Sequence, residues 1–157
     1  MSGVIGFTNR LKTGVIHASA PSFCMVSGGQ SINNATWTQV SYDTTVHDNT
    51  GGASLSGNQF IVPVGGVWHF EFHARVGGMD DNEDMIVQFR LNGSSFTEPN
   101  SHAHSWSTGS GRTIDNELNF IVDVTAGSVI SAWSAQNEGG AVTYAADYTF
   151  LAGSKLI

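Results

Sequence analysis

Two histidines, a glutamate and an arginine alternate along one short stretch of this chain. His69, Glu71, His73 and Arg75 take every second position of residues 68–76, and the positions between them are all apolar. Since successive side chains of a strand point to opposite faces, we expect a strand with a polar face and a core face. Imidazole and carboxylate groups suit Zn²⁺ or Ni²⁺. The polar face is therefore either a site or a surface that meets another copy of the chain.

A second group of chemically useful residues follows directly. Four carboxylates fall within residues 80–84, after the glycine pair 77–78. Oxygen-rich turns suit Ca²⁺, and Asp80, Asn82 and Asp84 have the spacing of EF-hand ligands, although Met85 stands where that loop needs glycine. A calcium site and a solvated acidic turn are the two alternatives here.

A third group combines imidazoles with an indole. His102 and His104 are two residues apart, so they share one face if the segment is extended, and Trp106 continues that spacing. Such a group forms either a rim that contacts a ligand or glycan, or a polar loop without a partner.

We find no sequence pattern typical of catalysis. The chain has no Gly-x-Ser-x-Gly elbow and no glycine-rich loop that leads into a helical pattern. The single cysteine, Cys24, lies in the apolar run 23–26, which predicts a buried and inert thiol. The protein is therefore not expected to be an enzyme, and we predict no cofactor other than the calcium ion considered above.

The amino-acid composition argues against some classes of binding partner. Only 12% of the residues are charged, against roughly 25% in a typical soluble domain, which is understandable if much of the surface meets other protein. The formal net charge of −7 and six scattered basic residues argue against nucleic acid. The sequence shows no secretory signal and no apolar run of the roughly 18 residues that a membrane span needs. We expect a protein made in a cytoplasm, with no membrane partner.

Alternation and turn signals divide most of the chain into short strands. Predicted strands cover residues 23–26, 35–42, 60–64, 68–76, 84–91, 117–124, 129–135 and 148–152. A polar loop is expected over 43–57, and Asn92-Gly93 is a hairpin turn signal. About eight strands at this spacing predict an all-β, two-sheet jelly-roll sandwich over residues 22–157, preceded by an N-terminal arm over 1–21.

Four motifs follow one another along the predicted strands: Gly57-Asn-Gln-Phe60, Pro63-Val-Gly-Gly-Val-Trp-His-Phe70, Val87-Gln-Phe-Arg-Leu-Asn-Gly93 and Val122-Asp-Val-Thr-Ala-Gly-Ser-Val129. Their order resembles that of the trimeric jelly-roll superfamily of complement globular heads and tumour necrosis factor. The closing Phe150-Leu-Ala-Gly153 is similar to that family's last strand, shifted by one residue.

The resemblance implies a homotrimer whose inner sheets pack about a three-fold axis. Trp68 and Phe70 would then be core residues, and the residues that face the axis would be His69, Glu71, His73, Asn119, Ile121 and Asp123. In that arrangement the histidines and Glu71 either ring a divalent metal or form a polar seam, in which Glu71 accepts hydrogen bonds from a neighbour's imidazoles.

Stand-alone members of this superfamily without an export signal resemble those in bacteriophage virions. By that analogy we expect a virion structural protein: a trimer that decorates or cements the capsid and whose partners are itself and the major capsid protein or another virion protein. The arm would anchor it through Val4, Ile5, Phe7, Val15 and Ile16. The alternative is the receptor- or glycan-binding tip of a tail or head fibre, which the shortness of the arm makes less favourable.

Overall fold

The computed structural model describes residues 20–96 and 102–157, and all its regular structure is strand. The strands are β1 Ser22–Val26, β2 Ser31–Ile32, β3 Thr38–Gln39, β4 Thr44–Asp48, β5 Ala53–Ser54, β6 Gln59–Ile61, β7 Gly66–Met79, β8 Asp84–Leu91, β9 Ser94–Ser95, β10 His102–Trp106, β11 Arg112–Val124, β12 Val129–Gln136, β13 Val142–Tyr144 and β14 Phe150–Lys155. In the described ranges there is no helix long and apolar enough to cross a membrane.

The strands form two antiparallel sheets. The first has the order β2-β13-β7-β14-β1-β4, and β11 pairs with the other side of β7. The second has the order β10-β8-β12-β6-β5, with β3 on β12 and β9 on β8. The predicted all-β, two-sheet class is confirmed.

Aromatic side chains from both sheets fill the core. Trp68, Phe70 and Phe72 of β7 are fully buried, as their alternation predicts. The Phe23 and Phe60 rings stack with centroids 3.7 Å apart, and the Trp68 and Phe70 rings stack at 5.8 Å. The position of Gly153 is set by this packing, because a Cβ there would lie 2.7 Å from the Phe23 ring and 2.8 Å from the Phe70 ring.

The long central strands match their sequence patterns, and the peripheral ones do not. β8 has the predicted bounds, and Asn92 (φ 51°) and Gly93 (φ 83°) form the predicted turn with two positive φ angles. In contrast, only Thr38 and Gln39 of the predicted strand 35–42 are extended, partly because Ala35 has a φ of 52°. The predicted loop 43–57 contains β4 and β5, and β10 and β13 had no predicted counterpart.

Cys24 and Phe150 both point out of the first sheet. Cys24 is half-buried, because Phe23 and Met25 take the core positions of β1, so the prediction of a buried thiol was wrong. In the last strand Leu151 is buried, and half-buried Phe150 points outward. The last strand therefore places leucine, and not phenylalanine, in the core.

Candidate functional site

The outward face of the first sheet brings together all six residues predicted to face a trimer axis. We call it the histidine face and define it by His69, Glu71, His73, Asn119, Ile121 and Asp123 with the outward residues of β14 and β1. On β11, Ile121 lies opposite His69 of β7, Asn119 lies opposite Glu71, and Asp123 lies opposite Val67. On the other side of β7, Ser154, Ala152 and Phe150 lie opposite His69, Glu71 and His73.

Several apolar groups interrupt the polar surface of the histidine face. Ile121 is 62% exposed, and Phe150, Ala152 and Cys24 are half-buried. Cys24 lies opposite Ala152 on one side and His47 on the other. The sequence patterns did not place His47 or Cys24 here, because β4 was expected to be loop and Cys24 was expected in the core.

The two central histidines have partners within the subunit. His69 Nε2 lies 3.1 Å from Asn119 Oδ1. His73 Nδ1 lies 2.5 Å from the Tyr148 carbonyl oxygen, and its Nε2 lies 3.3 Å from Asp115 Oδ1. Both His73 partners are hydrogen-bond acceptors, so an imidazole protonated on both nitrogens donates to each.

A charged cluster closes one end of the histidine face. Arg75 donates to both carboxylate oxygens of Asp115, at 2.6 and 3.2 Å, and its guanidinium lies 4.4 Å from the centre of the exposed Tyr148 ring. The hydrogen bond to Asp115 raises the pKa of Arg75 above its usual value. A bidentate pair of this kind fixes both side chains in position.

Neither of the two predicted metal sites, on the histidine face or in the acidic turn, forms a cluster of ligands among the described residues. Across residues 20–96 and 102–157, no three His, Cys, Asp or Glu side chains are close enough to hold a metal within one subunit. A ring built from three copies of His69, Glu71 and His73 therefore stays a prediction. In the acidic turn, the Asp84 carboxylate pairs with His104, and the Asp80 backbone amide donates to Glu138 at 2.6 Å. Calcium binding also stays a prediction.

The outward face of the second sheet carries the other predicted group. His102, His104 and Trp106 are exposed on one side of β10, as their spacing predicts, although the segment is a strand and not a loop. The His104 ring lies 4.7 Å from the Trp106 ring, and His104 Nε2 is hydrogen-bonded to the mostly buried Asp84 carboxylate. We call this the tryptophan face and define it by Trp37, Asp84, Ile86, His104, Trp106 and Trp133.

Sequence patterns alone did not assign Trp37, Ile86 or Trp133 of the tryptophan face to any site. Trp133 lies on neighbouring β12, with the Arg90 guanidinium 3.8 Å from its ring centre and 5.8 Å from that of Trp37. The alternation of β8 already placed Arg90 and Ile86 outward, but the neighbours of β8 depend on long-range pairing. Among the hydrogen bonds of the described residues, His104 pairs only with Asp84.

The five apolar residues of the predicted capsid-anchoring arm (Val4, Ile5, Phe7, Val15 and Ile16) lie outside the described residues.

Comparison with known proteins identifies the fold. No protein-family model and no curated protein matches the sequence. Among solved structures, the globular domain of zebrafish complement 1qA protein superposes with a TM-score of 0.62 at 12% identity, covering 87% of this chain and 98% of that one. Agreement over nearly the whole of both chains at such low identity is agreement in backbone architecture. This chain therefore has the jelly-roll fold of the complement globular heads.

Proposed function

We propose that this protein is a homotrimeric virion structural protein that decorates or cements a bacteriophage capsid. The complement-like jelly roll, the low charge and the composition of the histidine face support the proposal. The trimer forms through the histidine face, and the N-terminal arm attaches it to the major capsid protein or another virion protein.

The observation that carries the proposal is the mixture of groups on the histidine face. Exposed Ile121 lies beside half-buried Phe150, Ala152 and Cys24, between histidines and carboxylates. Soluble monomers rarely expose wide apolar patches, and an apolar patch with a polar rim is typical of a surface that binds another protein.

Substitution of Ile121 tests the oligomer. A carboxylate buried in a subunit interface without a partner is strongly unfavourable, so Ile121→Asp should shift the molecule from trimer toward monomer. Ile61 is a matched control, because it is 41% exposed on the second sheet, and Ile61→Asp should leave the trimer intact. Sedimentation equilibrium measures both. A parent protein that sediments only as a 16.6 kDa monomer would rule out the trimer.

Truncation of the arm tests the attachment. Burial of a large aliphatic or aromatic side chain contributes about 1.5–3 kcal/mol, and three arms act together through high effective concentration. Deletion of residues 1–20 should leave a stable trimer that no longer binds capsids in a co-sedimentation assay. Truncated trimers that bind capsids as tightly as the full chain would contradict the anchor, and a truncated chain that fails to trimerise would place the arm in the domain.

The exposed residues of the tryptophan face favour a second candidate, the receptor-binding tip of a fibre. Trp106 is 58% exposed beside exposed His102 and His104, on a rigid strand. Labelling of this protein in electron micrographs of native particles separates the two candidates, because label on the capsid surface supports decoration and label at fibre ends supports recognition.

A further inference from the structure

Three of the four tryptophans of this chain lie on the outside of one sheet. Trp68 is fully buried, whereas Trp37 is 39% exposed, Trp106 is 58% exposed and Trp133 is half-buried. An exposed indole that contributes little to a core offers a flat apolar surface with a polar edge, which is the property of aromatic residues that bind amphipathic ligands.

A small cavity lies within this tryptophan face. Its volume is about 190 Å³, and Trp37, Ala35, Ile86 and Ala135 form its apolar walls. Drug-sized ligands occupy sites of roughly 300–1,000 Å³, so this cavity is suited to a single small ring.

The polar end of the cavity is formed by Asp84 and Asn137. Two hydrogen bonds link these residues: the Asp84 backbone amide donates to the Asn137 side-chain Oδ1 at 2.6 Å, and the Asn137 backbone amide donates to the Asp84 carbonyl oxygen at 3.3 Å. His104 hydrogen-bonds Asp84 Oδ2, and the side chain of Asp84 is only 11% exposed.

Two hydrogen-bonding groups at that end remain open to a ligand. Among the hydrogen bonds of the described residues, none uses Asp84 Oδ1 or Asn137 Nδ2. One is an acceptor and the other a donor, and each hydroxyl of a sugar both donates and accepts a hydrogen bond. The apolar C–H side of a pyranose ring, in turn, matches the indole wall of Trp37.

The charges on this face and on the whole molecule favour neutral sugars over anionic ones. The Asp84 carboxylate faces His104, and the Arg90 guanidinium is stacked on Trp133, so neither the acid nor the base of this face is an isolated charge. The molecule as a whole has a formal net charge of −7, which repels polyanionic ligands at long range.

We propose that the cavity beside Trp37 binds one neutral hexopyranose unit of a polysaccharide, with Trp37 under the ring and Asp84 and Asn137 on adjacent hydroxyls. The site lies on the opposite sheet from the histidine face. It depends neither on the trimer nor on attachment to a capsid, and its failure would leave those experiments unchanged.

Titration of the full-length protein tests this site. Methyl α-glycosides of glucose, galactose and mannose are added to ¹⁵N-labelled protein, and the indole N–H signal of Trp37 is followed, with 3′-sialyllactose as the anionic comparison. We expect weak, saturable binding of at least one neutral glycoside, with the largest shifts at Trp37, Asp84 and Asn137.

Substitutions distinguish binding at this cavity from non-specific binding elsewhere on the protein. Trp37→Ala and Asp84→Asn should each weaken binding about tenfold or more, whereas Trp37→Phe, which keeps an aromatic wall, should change it by less than about threefold. Ile61→Ala is the matched control, because Ile61 (41%) and Trp37 (39%) are equally exposed on the same sheet. Trp37 is a surface residue, so its variants test binding without unfolding the domain.

Three results would overturn the proposal. They are no saturable shift with any neutral glycoside, binding confined to 3′-sialyllactose, and Trp37→Ala binding as tightly as the parent.

Discussion

Two buried tyrosines differ in one hydrogen bond. The Tyr144 hydroxyl is hydrogen-bonded to Ser134, whereas the buried Tyr42 hydroxyl has no hydrogen-bond partner among the described residues. Burial raises the pKa of both phenols.

This contrast predicts substitutions of opposite sign. Removal of an unpaired buried hydroxyl relieves its desolvation cost, so Tyr42→Phe should raise the free energy of unfolding by about 1 kcal/mol. Tyr144→Phe should lower it by about 1–2 kcal/mol, because Ser134 loses its partner. Urea denaturation of the two variants and the parent measures both values. Equal destabilisation by the two substitutions would contradict the assignment.

The reactivity of the Cys24 thiol is a direct probe of the histidine face. Burial, and then the nearby negative charge of Glu71, raise the pKa of its thiol above the ordinary value. Because the thiolate is the reactive form, the pH at which iodoacetamide alkylation accelerates should be higher for folded protein than for protein in urea.

The same reaction tests the interface through its rate. If three copies cover the histidine face, alkylation of Cys24 should be faster in Ile121→Asp, which is expected to dissociate, than in Ile61→Asp. Equal rates in these two variants would mean that the face is not covered.

At the scale of elements, one carboxylate organises the connection from β4 to β5. Asp48 Oδ1 accepts hydrogen bonds from the Thr50 amide (2.8 Å), the Thr50 hydroxyl (2.6 Å) and the Gly51 amide (3.0 Å), and Oδ2 accepts from the Ala53 amide (3.1 Å). Burial alone would raise the pKa of Asp48, but these hydrogen bonds outweigh it and lower the pKa. This turn lies within residues 43–57, which were predicted to form a polar loop.

Asp48→Asn should destabilise the fold at neutral pH by about 1–2 kcal/mol, because hydrogen bonds to a charged acceptor are lost. The stability from this carboxylate is fully present above its unfolded pKa of about 3.9 and disappears as the pH falls through its lower folded pKa. Parent and variant should therefore converge in acid. Asp81→Asn removes an exposed carboxylate of the acidic turn and is the control. It should leave the stability unchanged both at neutral pH and in acid. A constant difference between parent and Asp48→Asn at all pH values would contradict this role.

At the scale of the whole molecule, the two sheets turn two chemically different faces outward. The histidine face carries apolar and ionisable side chains, and the tryptophan face carries three indoles, one of which, that of Trp37, lines a small cavity. Since the faces lie on opposite sides of the sandwich, assembly through one leaves the other open to a ligand.

The histidine face also predicts how assembly responds to pH. His73 already faces Asp115 in its own subunit, whereas the partner of His69 is the neutral Asn119. In a trimer, a protonated His69 would therefore depend on Glu71 for a compensating charge. Glu71→Leu trimers should dissociate more readily in acid than the parent, and the added substitution His69→Gln should remove the effect. Identical trimer fractions in parent and Glu71→Leu from about pH 8 to about pH 5, by light scattering, would exclude the seam.

Local sequence patterns were enough to predict the fold class and the facing of the long strands. Trp68, Phe70 and Phe72 alternate with polar residues over enough positions that only one facing buries them, and β8 and the Asn92-Gly93 turn follow equally local patterns. Features that depend on which strand lies beside which could be read only from the folded chain. Short strands such as β4 and β10 have too few residues for a pattern, and their sheet hydrogen bonds come from partners distant in sequence. For the same reason Cys24 faces outward, Asp84 meets His104 across two strands, and Trp37 and Trp133 join one face: strand pairing, a long-range property, set each of these neighbours.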